Sequence, residues 1–186
     1  MRHKLTLLAA SALLLGSAAQ ATELDLSFSN DSARLSGSQG LNNNLRLDAG
    51  WLHNTDGGNV GHLGIRLVDL ATGGQPVIQA GLGARALYID SDVRDRSGSA
   101  VSLGGTVSMN VPDADRFQVG AYAWYSPDVL SFGSVTRYRE LGAYVGYEVL
   151  RNGSLYLGLR QVNANFKRLP DANIDSGLHV GMRLRF

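Results

Sequence analysis

In "AVSLGGTVSMNV", residues 100–111, Val101, Leu103, Val107, Met109 and Val111 share one parity, while Ser102, Gly104, Thr106, Ser108 and Asn110 share the other. Successive side chains of a strand point to opposite faces, so this spacing makes a strand with one apolar face and one polar or small face. A helix would scatter the same residues around its circumference. The period of two recurs in Leu45–Trp51, Leu63–Leu67, Ile78–Tyr88, Phe117–Tyr125, Leu141–Val149, Leu155–Leu159 and Leu178–Phe186. It predicts strands from residue 23 onward. The stretch "LDLSFSNDSARLS" adds a hairpin: a two-residue turn at Asn30-Asp31, whose side chains tolerate positive φ, pairs Phe28 with Ala33 and Leu26 with Leu35 on one face. Ser27 and Arg34 then meet on the other. The sheet has ten antiparallel strands with that hairpin and eight without it. Both numbers are even, so its two ends lie on one side.

The separators alternate in length. "ATGGQ" (71–75), "PDAD" (112–115) and "RNG" (151–153) are short, whereas "DSDVRDRSGS" (90–99), "SPDVLSFGSV" (126–135) and "KRLPDANIDS" (167–176) are longer and polar. Short and long connections therefore lie at opposite ends, as in an up-and-down barrel with short periplasmic turns and longer extracellular loops.

Alternating strands suit either a soluble sandwich, apolar side in, or a membrane barrel, apolar side out. The polar face decides between them. It carries Arg46, Asp48, Arg66, Arg85, Glu140, Glu148, Arg160, His179, Arg183 and Arg185, interleaved with Gly81, Gly83, Gly104, Gly120, Gly142, Gly146, Gly158 and Gly181. Glycine weakens a solvated strand, but a narrow barrel interior needs small residues opposite rings such as Tyr122, Trp124, Tyr144 and Tyr156. The apolar face agrees. Trp51, Tyr88 and Tyr125 fall at the long-connection ends of their strands and Phe117, Tyr147 and Phe186 at the short-turn ends, with aliphatic residues between. Two aromatic belts bordering an aliphatic band match a lipid-facing surface, because amphipathic rings prefer the headgroup level. The expected fold is all-β, a transmembrane antiparallel barrel.

The first 21 residues set the compartment. Arg2 and Lys4 precede the apolar run Leu5–Leu15, and small residues lead to "AQA" at 19–21. An apolar run of about 11 residues falls short of the ~20 that a spanning helix needs, and the layout is that of a cleaved signal peptide. Residues 22–186 are then the barrel domain, carrying 15 basic and 16 acidic residues. That near-neutral balance leaves no basic stripe for nucleic acid. Cys is absent, which excludes disulfides, thiol nucleophiles and thiolate metal sites.

The segment "WYSPDVLSFGSVTRYRELGAYVGYEVLRNGSLYLGLRQV", with "SNDSARL" before it and "GLHVGMRLRF" at the end, resembles the YfaZ family of Gram-negative outer-membrane proteins. "YSPDVLSFG", Tyr125–Gly133, carries the resemblance most specifically. It implies a small outer-membrane β-barrel, located in the cell outer membrane, and brings no catalytic or ligand residues with it.

Candidates for chemistry are sparse. His53 and His62 bracket "NTDGG", with Asp56 between them, and Ser91, Asp92 and Asp95 occupy another rim connection, where His, Asp and Ser also serve hydration alone. Asp90, Asp92 and Asp95 suggest calcium only superficially, since the loop lacks the glycine and glutamate that complete such a site and contains Arg94 and Arg96. No catalytic residue, metal or cofactor is assigned. Those arginines suit lipopolysaccharide phosphates instead. The inward charges suggest a selective pore, yet about eight strands leave an interior that side chains fill, and open channels appear near 16. The expectation is a small barrel with a largely filled lumen and a structural, surface-interaction or narrow-passage role. A narrow solute or ion channel is the first alternative, and a lipid or peptide hydrolase the second.

"GLHVGMRLRF" reads as the closing strand: Leu178, Val180, Met182, Leu184 and Phe186 face lipid and the residues between face the lumen. Its pattern resembles the C-terminal signal read by the barrel-assembly machinery, which joins outer-membrane lipids and lipopolysaccharide as an expected partner. We expect Phe186→Asp, or its deletion, to lower the yield of membrane-inserted barrel; heat-modifiable gel mobility of outer-membrane fractions measures this.

Overall fold

A strand that is apolar on one side and polar on the other is stable only where both faces find their solvent and both edges find a partner. The computed structural model describes residues 22–71, 77–92, 95–168 and 171–186, so the signal-peptide expectation for 1–21 lies outside it. Ten long strands form the wall: β1 (Thr22–Phe28), β2 (Ser32–Gly40), β3 (Leu45–Asn54), β4 (Gly58–Ala71), β5 (Ile78–Ser91), β6 (Arg96–Val111), β7 (Ala114–Ser126), β9 (Val135–Leu150), β10 (Gly153–Phe166) and β11 (Ala172–Arg185). A three-residue β8 (Ser131–Gly133) follows a single 3-10 turn at Asp128–Leu130 and pairs with the start of β6. Each long strand pairs antiparallel with the next, and β1 pairs with β11, so the sheet closes into a ten-stranded barrel. The seam ends on reciprocal backbone hydrogen bonds, Thr22 N to Phe186 O at 3.2 Å and Phe186 N to Thr22 O at 2.9 Å.

The N-terminal hairpin has the expected register, Phe28 opposite Ala33, Leu26 opposite Leu35 and Ser27 opposite Arg34. The described residues of the polar stretches 90–99, 126–135 and 167–176 lie on the rim opposite Thr22 and Phe186, but much of their length is strand. β5 runs to Ser91, β6 starts at Arg96 and β11 starts at Ala172.

Those extra strand residues form a second zone in which the faces exchange roles. Over most of the wall the outside is apolar and exposed, as at Leu63, Leu82, Leu103, Leu157 and Leu178, with Leu82 74% accessible. Toward the far rim the outward positions become His53, Arg137, Arg139, Gln161 and Asn173. The inward ones become apolar: Leu52, Val60, Leu87, Ile89, Ala100, Val135, Tyr138, Val162, Ala164, Phe166, Ala172 and Ile174 form one buried cluster. Water, rather than lipid, is the matching solvent for such a wall, and the cluster packs inside that end of the barrel like a small soluble core. Each Val, Leu, Ile or Phe side chain fully buried there contributes about 1.5–3 kcal/mol.

Below the cluster the interior is fitted ring against glycine. Tyr122 stands directly opposite Gly142, Tyr144 opposite Gly120, and Tyr156 opposite both Gly146 and Gly181. A methyl group at Gly120 would lie 2.6 Å from the Tyr144 ring, and one at Gly142 would overlap the Tyr122 ring. Glycine is required at these two positions by the close approach of a rigid ring. We expect Gly142→Val to cost about 1–3 kcal/mol through overpacking, read as a lower urea midpoint of the refolded barrel, and Tyr122→Ala in the same chain to restore most of it.

Candidate functional site: the barrel lumen

The lumen is layered, and each layer comes from one inward row of the sheet. Directly beneath the apolar cluster lies a layer of paired charges. Arg34 of β2 pairs with Glu140 of β9, whose other oxygen accepts a hydrogen bond of 2.9 Å from the Tyr138 hydroxyl. Arg85 of β5 donates to Asp48 of β3 at 2.9 Å and lies over the Trp124 ring, 3.7 Å from its centroid. Arg160 of β10 pairs with Asp175 of β11 and also donates to Ser27 at 3.3 Å and Ser32 at 3.0 Å. Asn54 holds the second Asp175 oxygen at 3.1 Å. Removing a charge from water is costly unless a partner and further polar contacts replace the lost hydration: added hydrogen bonds do this for Arg34–Glu140 and Arg160–Asp175, and the Trp124 ring does it for Arg85, while Asp48 Oδ1 is buried without a hydrogen bond.

Below come the tyrosines, then the mouth. Arg183 stacks over Tyr144 and Tyr156, 4.8 and 5.4 Å from their centroids, and reaches Asp25 at 3.1 Å and Glu23 at 3.4 Å. Tyr156 donates to Asp25 at 2.7 Å. Arg185 sits between Glu23 at 3.3 Å and Glu148 at 3.5 Å. His179 is buried at the edge of the Tyr156 ring, 5.8 Å between centroids. A cavity of about 150 Å³ runs from the charged layer toward the terminal rim, where a wider mouth of about 300 Å³ opens between Arg46, Gln79, Ser108 and Gln118.

The ten interior residues expected from the sequence therefore all point inward, and the structure adds partners that alternation alone did not select. Glu23, Asp25 and Arg34 lie on the short N-terminal hairpin, and Asp175 lies in the stretch read as a loop. The β10–β11 register shifts between Val162 and Asn163, and at this bulge the consecutive residues Ile174 and Asp175 are both buried. His62 is also re-placed: rather than on a rim loop it faces the lumen from β4, 3.4 Å from Asp48. His53 lies on the outside, with Nδ1 2.9 Å from Asn59 Oδ1, while Ser91 is buried within the wall. The residues considered for hydrolysis are thus on opposite sides of the sheet. Among the described residues no group of three or more His, Cys, Asp or Glu is placed to hold a metal ion. On the outer wall Trp51, Tyr88 and Tyr125 lie toward the far rim; Phe117 and Tyr147, with ring centroids 5.0 Å apart, and Phe186 lie toward the terminal rim, all six exposed.

The sequence model of a family described as "YfaZ precursor" matches residues 2–186. The chain belongs to the YfaZ family. A curated relative, "Outer membrane protein YfaZ" of Escherichia coli (strain K12), is 32% identical over 146 residues, covering 76% of this chain and 75% of that one. Family and fold together make this an outer-membrane β-barrel protein. Solved structures that align with it include "KdgM porin in complex with disordered oligogalacturonate", with a TM-score of 0.44, and "KdgM porin", with a TM-score of 0.43. Each is 12% identical and covers 89% of this chain and 99% of its own.

Loss of Glu140 leaves the Arg34 guanidinium unpaired beneath an apolar ceiling. We expect Glu140→Leu to destabilise the barrel by about 3–5 kcal/mol, and Arg34→Met/Glu140→Leu to recover most of that. A double-mutant cycle of urea unfolding followed by tryptophan fluorescence measures both.

Proposed function

We propose that this outer-membrane barrel is a closed one, with a structural or surface-interaction role, whose lumen is a periplasm-facing vestibule rather than a through-pore. The observation that carries the reading is the stacking of two complete layers, the apolar cluster at the far rim and the paired charges beneath it. A hydrated ion or solute would have to shed its water in the first and break supported ion pairs in the second. The terminal rim is assigned to the periplasm because the two-residue turns 112–113 and 151–152 lie there, beside the Thr22–Phe186 seam, and the far rim to the outside.

Outer-membrane lipids are the partners of the aliphatic band and its bordering rings. Arg96, on the far rim, is a cation for lipopolysaccharide phosphates; Arg94, its companion in the sequence-based expectation, lies outside the described residues. The barrel-assembly machinery would read the closing strand Leu178–Phe186. A hydrolase reading has no support in the separated positions of His53, His62 and Ser91.

Conductance tests the reading directly. We expect no discrete steps when the purified barrel is added to planar bilayers at loads where a general porin conducts. Reproducible single-channel steps would overturn the closed reading in favour of a narrow channel, and reversal of their ion preference by Arg85→Glu would trace the path through the lumen.

A further inference from the structure

Not every lumen cation is balanced. The carboxylates of Glu23, Asp25 and Glu148 are shared by Arg183 and Arg185. Asp48 is taken at 2.9 Å by Arg85 and at 3.4 Å by His62, leaving Arg66 Nε at 3.9 Å from its remaining oxygen. That Nε is buried without a hydrogen-bond partner, although Nη1 of the same guanidinium donates to Thr106 at 3.2 Å. Arg46 makes no hydrogen bond or ion pair with any described residue. These two arginines are directly opposed in the β3–β4 register, both on the inner face. Like charges directly opposite one another across a sheet are destabilising, so the pair costs the empty barrel stability.

In front of them lies a cavity whose walls include Glu23, an acid already shared by Arg183 and Arg185. Arg46 and Arg66 line the vestibule next to its mouth, with neutral Gln79, Thr106, Ser108 and Gln118 on the adjoining walls. Two guanidiniums lining one cavity, with amide and hydroxyl donors around it, match a planar or tetrahedral oxyanion, which accepts N–H bonds from each arginine. We propose that the vestibule is a binding site for a small oxyanion, the phosphoryl or carboxylate group of a periplasmic solute, held between Arg46 and Arg66. The solute enters from the terminal rim, because the apolar cluster closes the other end. Binding and conductance are separate readouts, so failure of this site leaves the closed-barrel reading standing, and the converse also holds.

The test is a titration of the detergent-refolded barrel with sodium phosphate, exchanged against sodium chloride at fixed ionic strength, following arginine Nε–Hε resonances by NMR. Two resonances should shift along a saturating curve, identified by their loss in Arg46→Gln and in Arg66→Gln, with apparent affinity at least tenfold weaker in each variant. Arg46→Lys keeps the charge without the planar fork and supplies a second variant with the same expected loss. A parallel titration with citrate separates the two group classes: the tighter of the two probes names the class. Drift without saturation for both probes, or saturation unchanged in Arg46→Gln and Arg46→Lys, overturns the site.

Discussion

A sheet placed in hydrocarbon has no water to satisfy its edges, so every backbone N–H and C=O of an edge strand must find a partner within the protein. Here that demand is met by the pairing of β1 with β11, down to the exchange between Thr22 and Phe186. Closure with ten strands then fixes the inner circumference. A circumference of this size is too small for a wide aqueous channel and too large for the backbone to fill, so the interior has to be fitted by side chains. The opposition of Tyr122 to Gly142 and of Tyr144 to Gly120 follows from closure as directly as the seam does.

The same confinement sets the rules for charge. A guanidinium in the lumen is cut off from bulk water on the lipid side by the wall and on the far side by the apolar cluster. Near that cluster each cation has its own acid: Arg34 with Glu140, Arg160 with Asp175, Arg85 with Asp48. Toward the open mouth, where water returns, pairing is looser and Arg46 has no acid partner among the described residues. The gradient from strict to loose pairing follows the gradient of hydration along the barrel axis, which is what the cost of an unpaired charge in a low-dielectric medium requires.

Much of this was legible in the chain. Strand alternation, the hairpin at Asn30-Asp31 and its register, and the inward placement of Arg46 through Arg185 follow from a period of two, because parity survives any detail of twist or tilt. The layering was hidden for two reasons. Apolar residues of opposite parity overlap, as where Ala86 and Tyr88 interleave with Leu87 and Ile89, and a reading that takes the longest apolar series as the lipid face discards the second one. The switch is visible on β10, where Leu157 and Leu159 give way to Val162, Ala164 and Phe166. Asp175 escaped for a different reason: a bulge changes parity, and nothing in "NIDSG" announces one. His62 was misplaced because "DGGNVGH" has the composition of a loop, although only Thr55–Gly57 separate β3 from β4.

The exchange of faces near the far rim also acts as a ruler. On three strands the outward residue changes from apolar to polar at a definite step, between Trp51 and His53 on β3, Leu141 and Arg139 on β9, and Leu159 and Gln161 on β10. Joined around the wall, these steps trace the level at which hydrocarbon ends. Above that level β10 continues from Gln161 to Phe166, which at about 3.3 Å per residue and a tilt of about 40° raises a collar roughly 15 Å tall beyond the lipid. The protein is therefore only partly a membrane structure. Its far-rim portion is a turret with a polar wall and an apolar interior, built as a soluble β-protein is built on a base that lipid surrounds.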